Sequence, residues 1–334
     1  MVAQGAPKGD PRKARPALPY VGWPGMSSVE LKLMMPGPYT PKGVDDYRCY
    51  ILPWTPERPV YVTGIDMRPG QRAEVHHVGI LMFDAAETRA AEALDARDAE
   101  PGFGCSVGMA PAPGQYPYEL LSGWAPGGFG GNLPPGTGVK VSPGSHLVVQ
   151  IHYFNQGRTP RPDLSRLDLQ LRDSVARPST WISIINAKWL TGTDRFQIPP
   201  GEKDVRFTFT GDPRTNSNFL PGDVDLSNGF VVHAAVLHMH MLGTGAKLVI
   251  KHRAGPSETL LSISRWDFMW QGGYELASPA VFGKDDELQL ECRWDNSAAN
   301  QPVINGVQQA PRLVTWGERS TDEMCVGSLY VSEK

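Results

Sequence analysis

Short apolar or alternating runs, closed again and again by Pro-Gly or Asn-Gly steps, limit the folds open to this chain more than any other feature. Arg166–Arg172 alternates apolar and polar residues strictly, and residues 205–210 do the same, as strands with one wet face should. Largely apolar runs at 78–83, 147–151 and 247–250 suit strands covered on both faces. The turns between such runs fall at Pro143-Gly144, Pro200-Gly201, Pro221-Gly222 and Asn305-Gly306. Helix signals are nearly missing: only residues 85–100, rich in Ala, Glu, Arg and Leu, read as one, and as a charged surface insertion.

At 334 residues the chain is long for one packed core and comfortable for two domains of roughly 150 residues each. After Leu171 the strand pattern dissolves, and a new apolar run begins at Trp181, which places a boundary near Ala176. The expectation is an all-β chain of two tandem antiparallel β-sandwich domains, jelly-roll-like, over residues 28–176 and 177–334. Residues 1–27 read as a flexible tether. Their first 24 residues are rich in Pro, Gly, Lys and Arg and have no hydrophobic stretch of signal-peptide type.

Composition removes several classes of function. A formal net charge of −3, with acids and bases mixed along the chain, gives no footprint for nucleic acid and no polybasic membrane patch. No apolar run approaches the ~18 residues that would span a bilayer. The Gly-rich stretch 123–138 lacks a Gly-Lys-Ser/Thr ending and a following helix, so it reads as a surface loop and not as a phosphate cradle. Cys49, Cys105, Cys292 and Cys325 fall two to each half with no Cys-x-x-Cys pair. They are either four buried thiols or two disulfides, one per half, and the second reading implies an oxidising compartment.

Five of the eight histidines sit in three tight contexts: His76-His77 at the start of one apolar run, His152 after another, and His238-Met239-His240. Strand side chains alternate faces, so His238 and His240 point the same way and can grip one ion. His76 and His77 are adjacent and can share an ion only where the strand is bent or bulged. His146, His233 and His252 stand alone and read as satisfied polar groups. Imidazole suits several metals, while a thioether narrows the choice to copper as Cu(I). With 11 methionines, composition does not say which one would serve.

Asp322-Glu323-Met324-Cys325, with the His-x-His pair well upstream, resembles the copper type II, ascorbate-dependent monooxygenases. Further stretches fall in the family's order: Tyr47-Arg48-Cys49, Val75-His76-His77, Trp124-Ala125, Leu133 to Gly138, Gln150-Ile151-His152-Tyr153 and Ile198 to Glu202. The resemblance implies two copper ions. His76, His77 and His152 would hold an electron-donating copper in the first domain. His238, His240 and Met324 would hold the catalytic copper in the second. The two sites would face each other across solvent with no shared ligand.

The resemblance also implies disulfides Cys49–Cys105 and Cys292–Cys325, and hydroxylation of a C–H bond in a small molecule with O2 and an external electron donor such as ascorbate. A secreted or periplasmic protein follows, its signal peptide removed. Tyr47 would lie beside the first copper, in ordinary packing. In the peptide-amidating branch an Arg, an Asn and a Tyr hold the substrate carboxylate; here Val236, Val326 and Ser328 stand at those positions. A peptide carboxylate would lose its partner, so these three residues become candidates for lining a different pocket in a pared-down, bacterial-type form of the family. The alternative is a copper-handling protein without turnover, built on the Met-rich run 238–241. A zinc hydrolase fits poorly, because neither cluster has a His-Glu-x-x-His carboxylate.

Overall fold

The structure is a computed structural model that describes residues 25–105, 118–126, 130–155, 157–217 and 221–334. The stretch 1–24, most of the expected tether, lies outside the described residues. The chain is all-β, as its alternation and turns imply. One long sheet holds, in spatial order, strands Leu31–Met34, Arg166–Arg172, Val60–Arg68, Thr137–Val141, Arg177–Ile184, Val326–Glu333, Gly229–His238 and Gly273–Gly283. Two further sheets pack in β-sandwich fashion. One is made of Phe103–Gly104, Asp45–Ile51, His146–Phe154, Val75–Phe83 and Glu119–Trp124, the other of Val205–Gly211, Glu287–Trp294, Gly243–Lys251 and Glu258–Ile263.

Each shorter sheet closes a core. One core gathers Tyr50, Val62, Ile80, Leu147, Ile151 and Tyr153; the other gathers Ile184, Phe230, Leu248, Phe282, Leu290 and Trp294. Trp181, Ala234 and Tyr330 of the second half belong to the first of these cores. The long sheet is continuous between the halves because Arg177–Ile184 pairs in parallel with Thr137–Val141 and antiparallel with Val326–Glu333. That parallel pairing is the exception in otherwise antiparallel sheets.

Turn chemistry behaves as read. Asn305 (φ 52°) and Gly306 (φ 78°) both lie in the left-handed region that a tight hairpin between two strands demands. All four cysteines are paired, Cys49 with Cys105 and Cys292 with Cys325.

Four local expectations change. The helix runs only over Ala85–Asp95. Asp84 starts it with a capping box: its carboxylate accepts from the backbone of Ala86 and Glu87, while Glu87 reaches back to the Asp84 N–H. It stops because the Arg48 guanidinium draws in the Asp98 carboxylate and the carbonyls of Glu100 and Pro101. A second helix, Ala187–Leu190, is too short to leave a period in sequence. The polar face of Arg166–Arg172 is dry at its centre, between half-buried Arg166 and exposed Arg172: Asp168 is buried by Arg68 and Arg166, Gln170 by Ser27 and Ser28. The Gly-rich stretch, finally, contains strand residues at Glu119–Trp124 and Gly130–Asn132 rather than loop alone.

Candidate metal centre

The first histidine group depends on a bulge. Val75–Phe83 pairs with His146–Phe154, and the register slips between Val75 and His77, leaving His76 as the extra residue. A bulge turns the inserted side chain toward the face of its neighbour. His76 and His77 therefore both reach His152, which pairs directly with His77.

The ring nitrogens then sort themselves by partner. Nε2 of His76 lies 2.9 Å from the Phe268 carbonyl, and Nε2 of His152 lies 2.9 Å from an Asp45 carboxylate oxygen. Both partners only accept, so both Nε2 atoms carry the hydrogen and both Nδ1 atoms present lone pairs. These Nδ1 atoms converge with Nδ1 of His77, at 3.1 Å from His76 and 3.4 Å from His152. With the His77 hydrogen on Nε2, three lone pairs would meet at one point, an arrangement that calls for a cation between them. One ligand atom from each of the three residues falls within 4.8 Å of the others.

The second group shows the opposite tautomer. His238 ends its strand, and its Nδ1 lies 2.6 Å from Oε1 of Gln271, whose amide nitrogen donates to the Phe268 carbonyl. His240 follows the strand end, with Nδ1 3.1 Å from the Asp322 carbonyl. Both rings therefore hold hydrogen on Nδ1 and present Nε2. Nε2 of His240 is buried and has no hydrogen-bond partner among the described residues. Such an orphan atom is costly unless something coordinates it.

Antiparallel pairing aligns His238 with Val326 and ends there; His240 and Met324 each lie two residues beyond that last pair. Met324 is buried between Cys325, held by its disulfide, and Glu323. The Glu323 carboxylate accepts from the backbone N–H of His240 (2.9 Å) and Leu242 (2.7 Å) and from the Trp294 indole (2.8 Å). Burial pushes this carboxyl up to about 7. Imidazole nitrogen suits copper among several metals, and a thioether from Met324 would narrow the second group to a soft, low-valent ion, so the residues present fit copper.

Burial also keeps the imidazoles neutral, as ligands must be. It pushes His76 down to about 3 and His238 to about 4, and holds His77 and His240 well below their ordinary value. His152 is lowered by burial even though Asp45 opposes the shift. Burial alone would raise Asp45, but hydrogen bonds from His152 and Ser320 outweigh it and hold the carboxyl below its usual range.

The two groups were expected to face each other across solvent; instead they touch. The rings of His77 and His238 are 5.4 Å apart. His76 and Gln271 share the Phe268 carbonyl, and the Phe268 ring stacks on His76 at 4.1 Å. On the far side, Ser320 bonds to Asp45, and Tyr47, stacked on His152 at 4.1 Å, donates to the Glu318 carbonyl. Tyr47 thus packs against a ligand candidate, as read. The segments before Met324 and before Gln271 each clamp a histidine of the other group.

Asp45, Phe268, Gln271 and Glu323 were not singled out from sequence. Asp45 had a signal, since it shares a strand face with Tyr47; Glu323 had one in being a carboxylate beside Met-Cys. Phe268 and Gln271 had none. The lone histidines are otherwise engaged: His146 with Thr55, His233 with Ser332, His252 with Asp286 and Glu258. A cavity of about 140 Å³ opens onto His77 and His238, and two of the three proposed lining residues, Val236 and Ser328, stand in its wall. Val326 is not among the residues lining it.

Comparison with known proteins bears on the second half most directly. The family model for the copper type II ascorbate-dependent monooxygenase C-terminal domain matches residues 185–332. DBH-like monooxygenase protein 1 of Homo sapiens is 24% identical over 274 residues, covering 78% of this chain and 39% of that protein. The Mus musculus protein of the same name is 25% identical over 224 residues, covering 63% and 32%. The chain thus spans well under half the length of these relatives. Among solved structures, one of infectious bursal disease virus Gx strain covers 92% of this chain and 69% of its own at 12% identity, with a TM-score of 0.21, too low to bear on the fold.

Proposed function

We propose, from the premise that this chain belongs to the copper type II ascorbate-dependent monooxygenases, whose C-terminal domain it carries over residues 185–332, that it hydroxylates a C–H bond of a small molecule with O2 and an external one-electron donor such as ascorbate. The observation that carries this reading is the pair of opposed tautomer sets. One group gathers three Nδ1 atoms; the other turns two Nε2 atoms outward, and the buried Met324 lies two residues from the Val326 that pairs with His238. A protein that only stored metal would have no need of two unlike ligand sets. Copper bound there would supply a redox-active centre at which O2 is reduced, with the electrons coming from the donor.

The chain's own residues have separable tasks. His76, His77 and His152 would hold the electron-transfer copper, and His238, His240 and Met324 the catalytic one. Asp45 and the Phe268 carbonyl fix the tautomers of His152 and His76; Gln271 and the Asp322 carbonyl fix those of His238 and His240. Glu323 anchors the backbone on which His240 sits. The cavity against His77 and His238 would orient substrate and keep bulk water from the reacting bond. Division into units 28–176 and 177–334 is part of the same reading, supported by a core in each half. So is an oxidising compartment, secreted or periplasmic, supported by two formed disulfides. No described helix is long and apolar enough to cross a membrane.

The test is Met324→Ile. Its purified, copper-loaded form should keep metal at the three-histidine group and lose ascorbate-dependent O2 uptake. Wild-type protein that binds two coppers yet consumes no O2 with ascorbate and any of a panel of amines, phenols and peptides would instead be a copper-handling protein.

A further inference from the structure

The cavity beside the histidines says what kind of molecule it accepts. Its walls come from both halves: Leu120 and Trp124 from one strand, Trp181 from the strand at the junction, and Val236 from the strand that ends at His238. Val236 and His238 share a strand face, so the apolar wall and the ligand candidate look into the same space. No Asp, Glu, Lys or Arg among the described residues lines it. Glu119, next to Leu120, points instead toward Gly222.

Size and polarity then set the occupant. An apolar cavity of roughly 150 Å³ admits one benzene ring, and this one holds about 140 Å³. An ammonium group would meet no carboxylate, and a carboxylate would meet no guanidinium, so either charge would be desolvated without a partner. Besides the histidines and the indoles, two polar side chains reach the wall. Gln271 is committed, through its oxygen to His238 and its nitrogen to the Phe268 carbonyl. Ser328, paired across the sheet with Val236, makes no side-chain hydrogen bond among the described residues.

We propose that this cavity takes a small uncharged molecule built on a single ring, with at most one hydrogen-bonding group, which the Ser328 hydroxyl receives. Only the fate of that molecule rests on the monooxygenase reading; its binding does not.

The test uses metal-free full-length protein at pH 7.5 and calorimetric titration with three one-ring probes: neutral p-cresol, cationic phenethylamine and anionic phenylacetate. Saturable one-to-one binding of p-cresol is expected, with both ions weaker by on the order of 100-fold. Val236→Phe fills the cavity and should weaken p-cresol at least roughly tenfold. Ser328→Ala should weaken p-cresol while leaving toluene unchanged. If Val236→Phe does not fold, nuclear Overhauser contacts from p-cresol to the indoles of Trp124 or Trp181 in the wild type take its place.

Ions that bind as tightly as p-cresol, absence of saturable p-cresol binding, a folded Val236→Phe that binds normally, or missing contacts to both indoles would each overturn the inference. Bound p-cresol without ascorbate-driven turnover of any probe by the copper-loaded protein would strike the monooxygenase reading and leave the cavity assignment standing. Hydroxylation of phenethylamine by a protein that ignores p-cresol would do the reverse.

Discussion

Mild acid should destabilise the metal-free protein through its buried imidazoles. His76 is 2% exposed, and burial pushes it down to about 3 from an ordinary value near 6.5. Between those values the unfolded chain binds the proton and the native chain does not. Stability is therefore intact above about pH 6.5 and falls as pH drops through that window. At pH 5, protonating this one ring favours the unfolded chain by about 2 kcal/mol. His77, His238 and His240, lowered by the same burial, act in the same direction. Against total stabilities of roughly 5–15 kcal/mol such losses are large. Glu119, raised to about 7 by burial and Asp223, opposes them, since its native form gains a proton on acidification. The measurement is therefore a difference. Urea unfolding, followed by tryptophan fluorescence at pH 7.5 and pH 5, is compared between wild type and His76→Asn. The variant should lose about 2 kcal/mol less over that interval. Matching pH dependence in the two proteins would refute the neutral, buried cluster.

Two substitutions separate the groups that orient the ligands. Asp45→Ala removes the acceptor for Nε2 of His152, freeing the ring to change tautomer; copper affinity of the three-histidine group should fall roughly 10- to 100-fold in a chelator competition, with the second group unaffected. Gln271→Leu leaves Nδ1 of His238 without its acceptor and should cost about 1–3 kcal/mol in urea unfolding. Its copper binding should weaken at the second group, read as loss of one equivalent during dialysis against a chelator; two retained equivalents would remove Gln271 from the ligand support.

Much of the fold was legible because strand, turn and glycine signals are local. Alternation at Arg166–Arg172 marked that strand to the residue. The same alternation misjudged its surroundings, because the Ser27–Ser28 segment that covers Gln170 lies far away in sequence. The helix at Ala85–Asp95 was overrun for a similar reason: Arg48, on a distant strand, ends it.

The candidate ligands divide along the same line. His-x-His implies a shared face from strand geometry, and the two rings do lie 5.1 Å apart, although the strand ends at His238 and His240 follows it. His76-His77 specified two imidazoles but not their direction; the register slip opposite His146–Phe154, a property of two paired strands, turned them together. Residue identity also determined which donors exist: imidazole nitrogen, one thioether beside a cysteine, and apolar Val236 where a basic residue would have drawn a carboxylate. Which nitrogen each ring presents was decided by the folded chain, because the acceptors at Asp45, Phe268, Gln271 and Asp322 come from other segments. So was the contact between the two groups. Local sequence sets what a side chain can donate; only packing of remote segments sets where it points and what stands beside it.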